Sequence, residues 1–308
     1  MKTIKLFLLI AALGIFPAAA RAEIGEVQEV APGVYFRQGD LEHKGHCNDG
    51  WVIFEDYVVV IDANFPNGAE EVIPEIRRTT SKPIRFVFDT HHHGDHAYGN
   101  MIWVLNGAVP VAQENVREEI KRYEPQRWED AAKEREDVRK LGPQGFKPPT
   151  LLFPDRLIFD DGKRRLELLY FGVAHTRGDG FGYLPHEKIL FTGDACVNGP
   201  HNYMGDGDSE SWIKTLEAAE KLDFEIILPG HGALARDGRR VMAGQKQFFI
   251  ELRKQVKDLL DAKKSLDEIK SMVRLPEAVQ NWVGDSLASQ IEQVYKEMTG
   301  RIPRATAH

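Results

Sequence analysis

The sequence predicts an α/β fold of sheet layers covered by helices. Short β-rich runs cluster early, two helical stretches interrupt them over 114–141, and a second set of β-rich runs follows with helices between and after. Strands this apolar bury both faces only when helices pack on them. No repeat, low-complexity tract or linker breaks the pattern, and 308 residues suffice for one large domain.

The elements follow in order. Residues 34–36 and 51–54 are short β-rich runs separated by turn residues. Residues 57–62 are a β-branched run that reads as a doubly buried strand ending in Asp62. Asn67-Gly68 then reads as a break, with apolar residues at helical spacing over 69–78. Residues 84–88 are a strand ending in Asp89, followed at once by a histidine cluster, and 109–112 is a further strand. Residues 114–123 predict a helix stopped by Pro125, and 127–141 a second, highly charged helix anchored by Trp128 and Val138. With the Pro/Gly-rich connection 142–149 these form a helical flap over 114–150. Its Tyr123, Trp128 and Phe146 either line an apolar wall of a site or pack onto the core.

Strand signals return at 157–159, 166–171, 181–184, 189–192 and 225–228, with an amphipathic helix at 212–222. From Gly244 the chain is helical, and Phe248, Phe249, Leu252, Val256 and Leu259 share one face. Ser265-Leu-Asp-Glu268 is a capping box, and Leu287, Ile291, Val294 and Met298 form a last stripe ended by Gly300. The expected organisation is a main domain over 23–240 and a helical extension over 241–308 packed on it.

The first 22 residues stand apart. Lys2 and Lys5 precede an apolar run over 6–16, and Ala20-Arg21-Ala22 presents small residues where a signal peptidase reads. This predicts a signal peptide cut after Ala22 and a periplasmic or secreted chain. The apolar run is short for a span, so no stable membrane anchor is expected after cleavage. Losing Lys2, Lys5 and Arg21 moves the formal net charge from −7 to −10. That acidity argues against nucleic acid as a partner, which needs clustered Lys and Arg, and leaves a small-molecule substrate. Nothing in the pattern speaks to oligomeric state. Export permits a disulfide between Cys47 and Cys196, but the expectation is two buried free thiols.

The chemistry concentrates in Thr90-His-His-His-Gly-Asp-His96, just past a strand's C-terminal end. Imidazole and carboxylate suit Zn²⁺, and Gly94 permits the sharp turn that lets neighbours surround a metal. His91 and His93 would face one metal, and Asp95 and His96 a second. Without metal, so many polar groups at the end of an apolar strand would be costly. His175, Asp194 and His231 occupy the same kind of position, at or after strand ends. Each alone is weak, but together they supply the ligands that two zincs still need. His92 should point away from these ligands, and His43, His186 and His308 have no ligand context.

In order and context these residues resemble the metallo-β-lactamase-fold superfamily: His-x-His-x-Asp-His, a later His, a bridging Asp, a final His, and a strand-end Asp before them. The resemblance implies a four-layer αββα sandwich with two Zn²⁺ ions at one edge, iron or manganese being alternatives. By that likeness His91, His93 and His175 bind the first metal, Asp95, His96 and His231 the second, and Asp194 bridges them. Asp62 would hold the histidine loop by hydrogen bonds. Asn198 and His201 lie on the loop after Asp194, where the family's loops reach substrate. The implied chemistry is hydrolysis by a water acidified between the metals, with Asp95 orienting it or relaying its proton.

True β-lactamases of the family usually carry Cys or Ser where this chain has Asp194. A bridging Asp resembles the thioesterase, lactonase and phosphodiesterase branches, including glyoxalase II. The expected function is therefore zinc-dependent hydrolysis of an ester, thioester or lactone. Hydrolysis of β-lactams, an iron-dependent sulfur dioxygenase on the same fold, and a zinc protein with a binding or structural role are the alternatives.

Overall fold

The computed structural model describes residues 23–284 and 286–301, so the signal peptide predicted over 1–22 and His308 lie outside the described residues. The first sheet takes β1 (Val27–Ala31), β2 (Val34–Arg37), β3 (Asp49–Ile53), β4 (Val58–Ile61), β5 (Ile84–Asp89), β6 (Val109–Gln113) and β7 (Leu151–Phe153), in chain order across the sheet. Between them run α1 (Leu41–Lys44), α2 (Pro66–Thr79), α3 (Gly94–Ala97), α4 (Asn100–Leu105), α5 (Glu114–Glu134) and α6 (Glu136–Leu141). The second sheet is built from β8 (Arg156–Asp160), β9 (Arg165–Tyr170), β10 (Gly180–Leu184), β11 (Ile189–Gly193) and β12 (Ile226–Pro229), ordered β12-β11-β10-β9-β8. α7 (Ser209–Ala219) crosses between β11 and β12, which pair in parallel. α8 (Gly238–Asp261), α9 (Leu266–Met272), a 3-10 turn (Glu277–Trp282) and α10 (Leu287–Thr299) complete the chain.

Strand alternation builds the layers. On β4, Val59 and Ile61 face the space between the sheets, with Phe36, Val52, Phe88, Leu166, Leu168 and Phe191. Val58 and Val60 face the other way, onto Val72 and Ile76 of α2 and Trp103 of α4. The outer face of the second sheet packs Phe181, Tyr183 and Leu190 against Trp212 of α7 and Phe248, Phe249 and Leu252 of α8. Ile291 and Val294 of α10 join that same cluster, so the C-terminal helices share the core of the second sheet. The result is the expected αββα sandwich. Among the described residues no helix is long and apolar enough to cross a membrane. Cys47 and Cys196 are both buried and unpaired.

Two local expectations are corrected. Asn67-Gly68 does not break the chain: α2 already starts at Pro66, whose fixed φ favours a first helical position. Pro125 does not stop a helix either, because α5 runs through it. Proline costs helix stability, but it lies on the exposed face and buried neighbours anchor the helix on both sides of it. Glu124 accepts the Tyr98 hydroxyl at 2.5 Å, and the Trp128 ring lies 4.8 Å from that of Tyr98. The break falls instead at Arg135, which leaves helical geometry with its guanidinium over the Phe65 ring. Of the two readings of the flap aromatics, packing is the one observed: Trp128 and Phe146 pack inward on Tyr98, while Tyr123 stacks on His92.

Candidate metal centre

Every predicted ligand is carried to one edge of the sandwich by a strand end. β5 delivers His91 and His93, α3 presents Asp95 and His96, the segment after β9 brings His175, β11 ends at Asp194, and β12 leads to His231. Close backbone approach makes this convergence possible. A Cβ on Gly230 would lie 2.2 Å from Asp194 Oδ1, so only glycine lets the β12 loop sit against that carboxylate. Asn48 fastens the same loop by donating to Pro229 O and Gly232 O, both at 2.8 Å.

The donor atoms form two groups. His93 Nδ1 lies 3.1 Å from His91 Nε2 and 2.9 Å from His175 Nε2. Asp95 Oδ2 lies 3.0 Å from His231 Nε2 and 3.4 Å from His96 Nε2, and those two nitrogens are 3.4 Å apart. Ligands on one tetrahedral zinc at about 2.0–2.1 Å are themselves about 3.3 Å apart. Asp194 reaches both groups, Oδ2 being 3.6 Å from His175 Nε2 and 3.4 Å from His231 Nε2, while Oδ1 lies 3.5 Å from His96 Nε2.

The outward nitrogens of four of these rings each face an oxygen, which turns the remaining nitrogens inward. His96 Nδ1 is 2.9 Å from Asp62 Oδ2, His93 Nε2 is 2.8 Å from Asp206 Oδ2, His175 Nδ1 is 2.9 Å from Tyr203 O, and His91 Nδ1 is 3.2 Å from Thr90 Oγ1. Burial and the neighbouring His93 push the His175 imidazole down to about 3, and burial with His96 holds His91 well below its ordinary range. Both rings are therefore neutral, with lone pairs to share. Burial would raise the Asp194 carboxyl, but the neighbouring His231 and His96 outweigh it and hold the carboxyl below its ordinary range. Asp194 Oδ1 is buried without a hydrogen-bond partner. Inward lone pairs and an orphaned carboxylate oxygen fit divalent cations at both positions.

The other predicted residues are placed as follows. Asp62 Oδ1 accepts Thr90 N–H at 2.9 Å and its hydroxyl at 2.8 Å, bracing the histidine loop. His92 is buried and turned toward the flap, 3.7 Å from Glu124 Oε1. His201 and Asn198 line a cleft of about 1270 Å³ that opens from His231 and runs along α10 past Gln290 and Lys296. The His201 ring lies 4.2 Å from that of His231, whereas the Asn198 amide donates to Ala233 O at 2.9 Å. One of the two Asn198 amide hydrogens therefore goes to holding the His231 loop. Sequence reasoning missed Asp206 and Arg127. Asp206 sits between glycines in Gly205-Asp-Gly207, a pattern that signals a turn but not a partner.

A family model described as the metallo-beta-lactamase superfamily matches residues 44–231. The chain belongs to the metallo-β-lactamase superfamily. Among relatives, it is 28% identical over 152 residues to the 2,4-dinitroanisole O-demethylase subunit alpha of Nocardioides sp., covering 49% of this chain and 41% of that one. It is 26% identical over 173 residues to a probable hydroxyacylglutathione hydrolase of Schizosaccharomyces pombe, covering 54% of this chain and 56% of the other. The chain thus spans about half the length of these relatives. Among solved structures, the sec-alkylsulfatase Pisa1 from Pseudomonas sp. superposes with a TM-score of 0.72 at 19% identity, covering 91% of this chain and 51% of that one. A metallo-beta-lactamase from Pontibacter korlensis gives 0.57 at 20% identity, covering 73% of this chain and 98% of that one. These likenesses show the shared metallo-β-lactamase fold.

Proposed function

We propose that this chain is an exported dinuclear zinc hydrolase acting on an ester, thioester or lactone. One observation carries the reading: two convergent donor groups share a single carboxylate, Asp194. His91, His93 and His175 would hold one metal, Asp95, His96 and His231 the other, and Asp194 both. Two bound dications supply Lewis acidity and lower the pKa of a water to near 7. Asp95 directs Oδ2 at His231 and His96, which leaves Oδ1 to orient that water and hold its proton. His201, beside His231 on the cleft wall, would contact the substrate, and α10 supplies polar groups to the same cleft. A cleft of this kind suits a small molecule, and the N-terminal signal pattern supports export.

The test is to purify the mature form from Glu23 without added metal and count zinc and iron per chain by elemental mass spectrometry. Two zincs per chain, with turnover of lactones or thioesters above that of nitrocefin, is the expected outcome. Iron as the main metal, or nitrocefin as the best substrate, would overturn it.

A further inference from the structure

We propose that the flap helix sets the first metal position, with the Arg127–Asp206 ion pair as a positioning device for His93. The inference rests on the dinuclear reading above. His93 offers Nδ1 to the metal side, and its Nε2 lies 2.8 Å from Asp206 Oδ2. Asp206 comes from the loop before α7, and its side chain is 7% exposed. A carboxylate so placed needs a countercharge, and α5 provides one. Arg127 Nη2 donates to Asp206 Oδ1 at 3.0 Å and lies 2.7 Å from Oδ2.

Arg127 is itself held from three sides. Its Nη1 is 3.3 Å from His92 Nε2 and 3.5 Å from Glu124 Oε1, and its guanidinium lies over the Tyr123 ring at 4.8 Å. Glu124 is tied to Tyr98. A continuous series of contacts therefore runs from the flap through Arg127 and Asp206 to one ligand. The other braced ligands are held differently: His91 by Thr90, His96 by Asp62, and His175 by the Tyr203 carbonyl. His92, His93 and Asp206 also sit close enough together to suggest a third cation site. The Arg127 guanidinium already occupies the cation position on Asp206, so that trio is a support for His93 and not a separate metal site.

A carboxylate on the outer nitrogen fixes a ligating imidazole's tautomer and orientation, and its loss typically costs 10–100-fold in metal affinity. Without Arg127, Asp206 loses its hold and the His93 ring is free to turn. The test measures Zn²⁺ affinity by competition with a chromophoric chelator in two backgrounds. His231→Ala removes a second-group ligand, and His175→Ala removes a first-group ligand. Adding Arg127→Met is expected to weaken binding about tenfold or more in the first background and less than about twofold in the second. Arg127→Lys should recover part of the loss. Asp206→Asn in the otherwise native chain provides a second variant, expected to lower the affinity of one of the two zincs while the metal-free chain melts at an unchanged temperature. Equal weakening in both backgrounds, or none in either, would overturn the inference. A native chain that binds no zinc would instead overturn the dinuclear reading.

Discussion

Asp62 Oδ2 lies 2.9 Å from His96 Nδ1, directly behind the second group of donors. The same carboxylate holds Thr90 through its other oxygen, so one side chain braces both ends of the histidine loop. Asp62→Ala takes the carboxylate away from beside His96 Nδ1 and leaves Thr90 N–H buried without a partner. Affinity for the second metal is expected to fall about 10–100-fold, read by chelator titration. Unchanged affinity at both sites would show that the loop is held by packing alone.

Metal removal should destabilise the fold as well as silence it. Five imidazoles and two carboxylates meet at the sandwich edge, and their inward lone pairs face one another when no cation separates them. A ligand present at 100 times its dissociation constant stabilises by about 2.7 kcal/mol per site. Thermal melts with and without a strong chelator should therefore separate by several degrees, with zinc restoring the higher value. Coincident melts would mean that no metal binds the folded chain.

The sandwich and the ligand groups were legible for physical reasons that did not extend to everything around them. Val58 to Ile61 alternate between two buried faces, so their composition announces a central strand whatever surrounds it. The ligands announce themselves only as a set: one His or Asp at a strand end is ordinary, whereas five His and two Asp in this order and placement supply two metal positions. Pro125 does not end the helix because its local cost of about 3 kcal/mol is offset by the anchoring of Glu124 and Trp128, which depends on Tyr98 far away in sequence. Asp206 and Arg127 were illegible for a related reason: 79 residues separate them, and neither sits in a motif. The wall that α10 gives the cleft is likewise set by how the C-terminal helices fold back, which periodicity does not encode.

Asp49 offers a pH signature. It is buried on β3, 3.2 Å from Arg37 Nη1 and accepting from Asn64, and burial, outweighing these partners, raises its carboxyl from 3.8 to about 7. With the folded value above the unfolded one, the native state binds the extra proton between those limits. Stability contributed by this group is then present at low pH and lost as pH rises from about 4 to about 7. Asp49→Asn should remove that component, so the stability difference between variant and native chain should shift in the variant's favour across this window. Denaturant melts at pH 5 and pH 8 measure it. A difference that is flat with pH would place the Asp49 carboxyl in its ordinary range.

Trp282 links the C-terminal helices to the cleft. Its indole N–H donates to Val197 O at 2.9 Å, on the segment that leads to Asn198 and His201, and its carbonyl accepts from Asn202 at 3.3 Å. The ring also fills the space above Gly244, where an added Cβ would lie 2.1 Å from it. Trp282→Ala should cost about 3–5 kcal/mol, the usual range for emptying a buried aromatic site. Trp282→Phe keeps most of the bulk and removes the hydrogen bond, so it isolates the effect on the loop. That variant should fold, retain both metals, and raise KM for a good substrate several-fold with a smaller change in kcat, because His201 loses its fixed position and the metal ligands do not. If KM stays at the native value while the melting temperature falls, Trp282 supports the core alone, and the cleft wall is held in place by Gln290 and Asn202 instead.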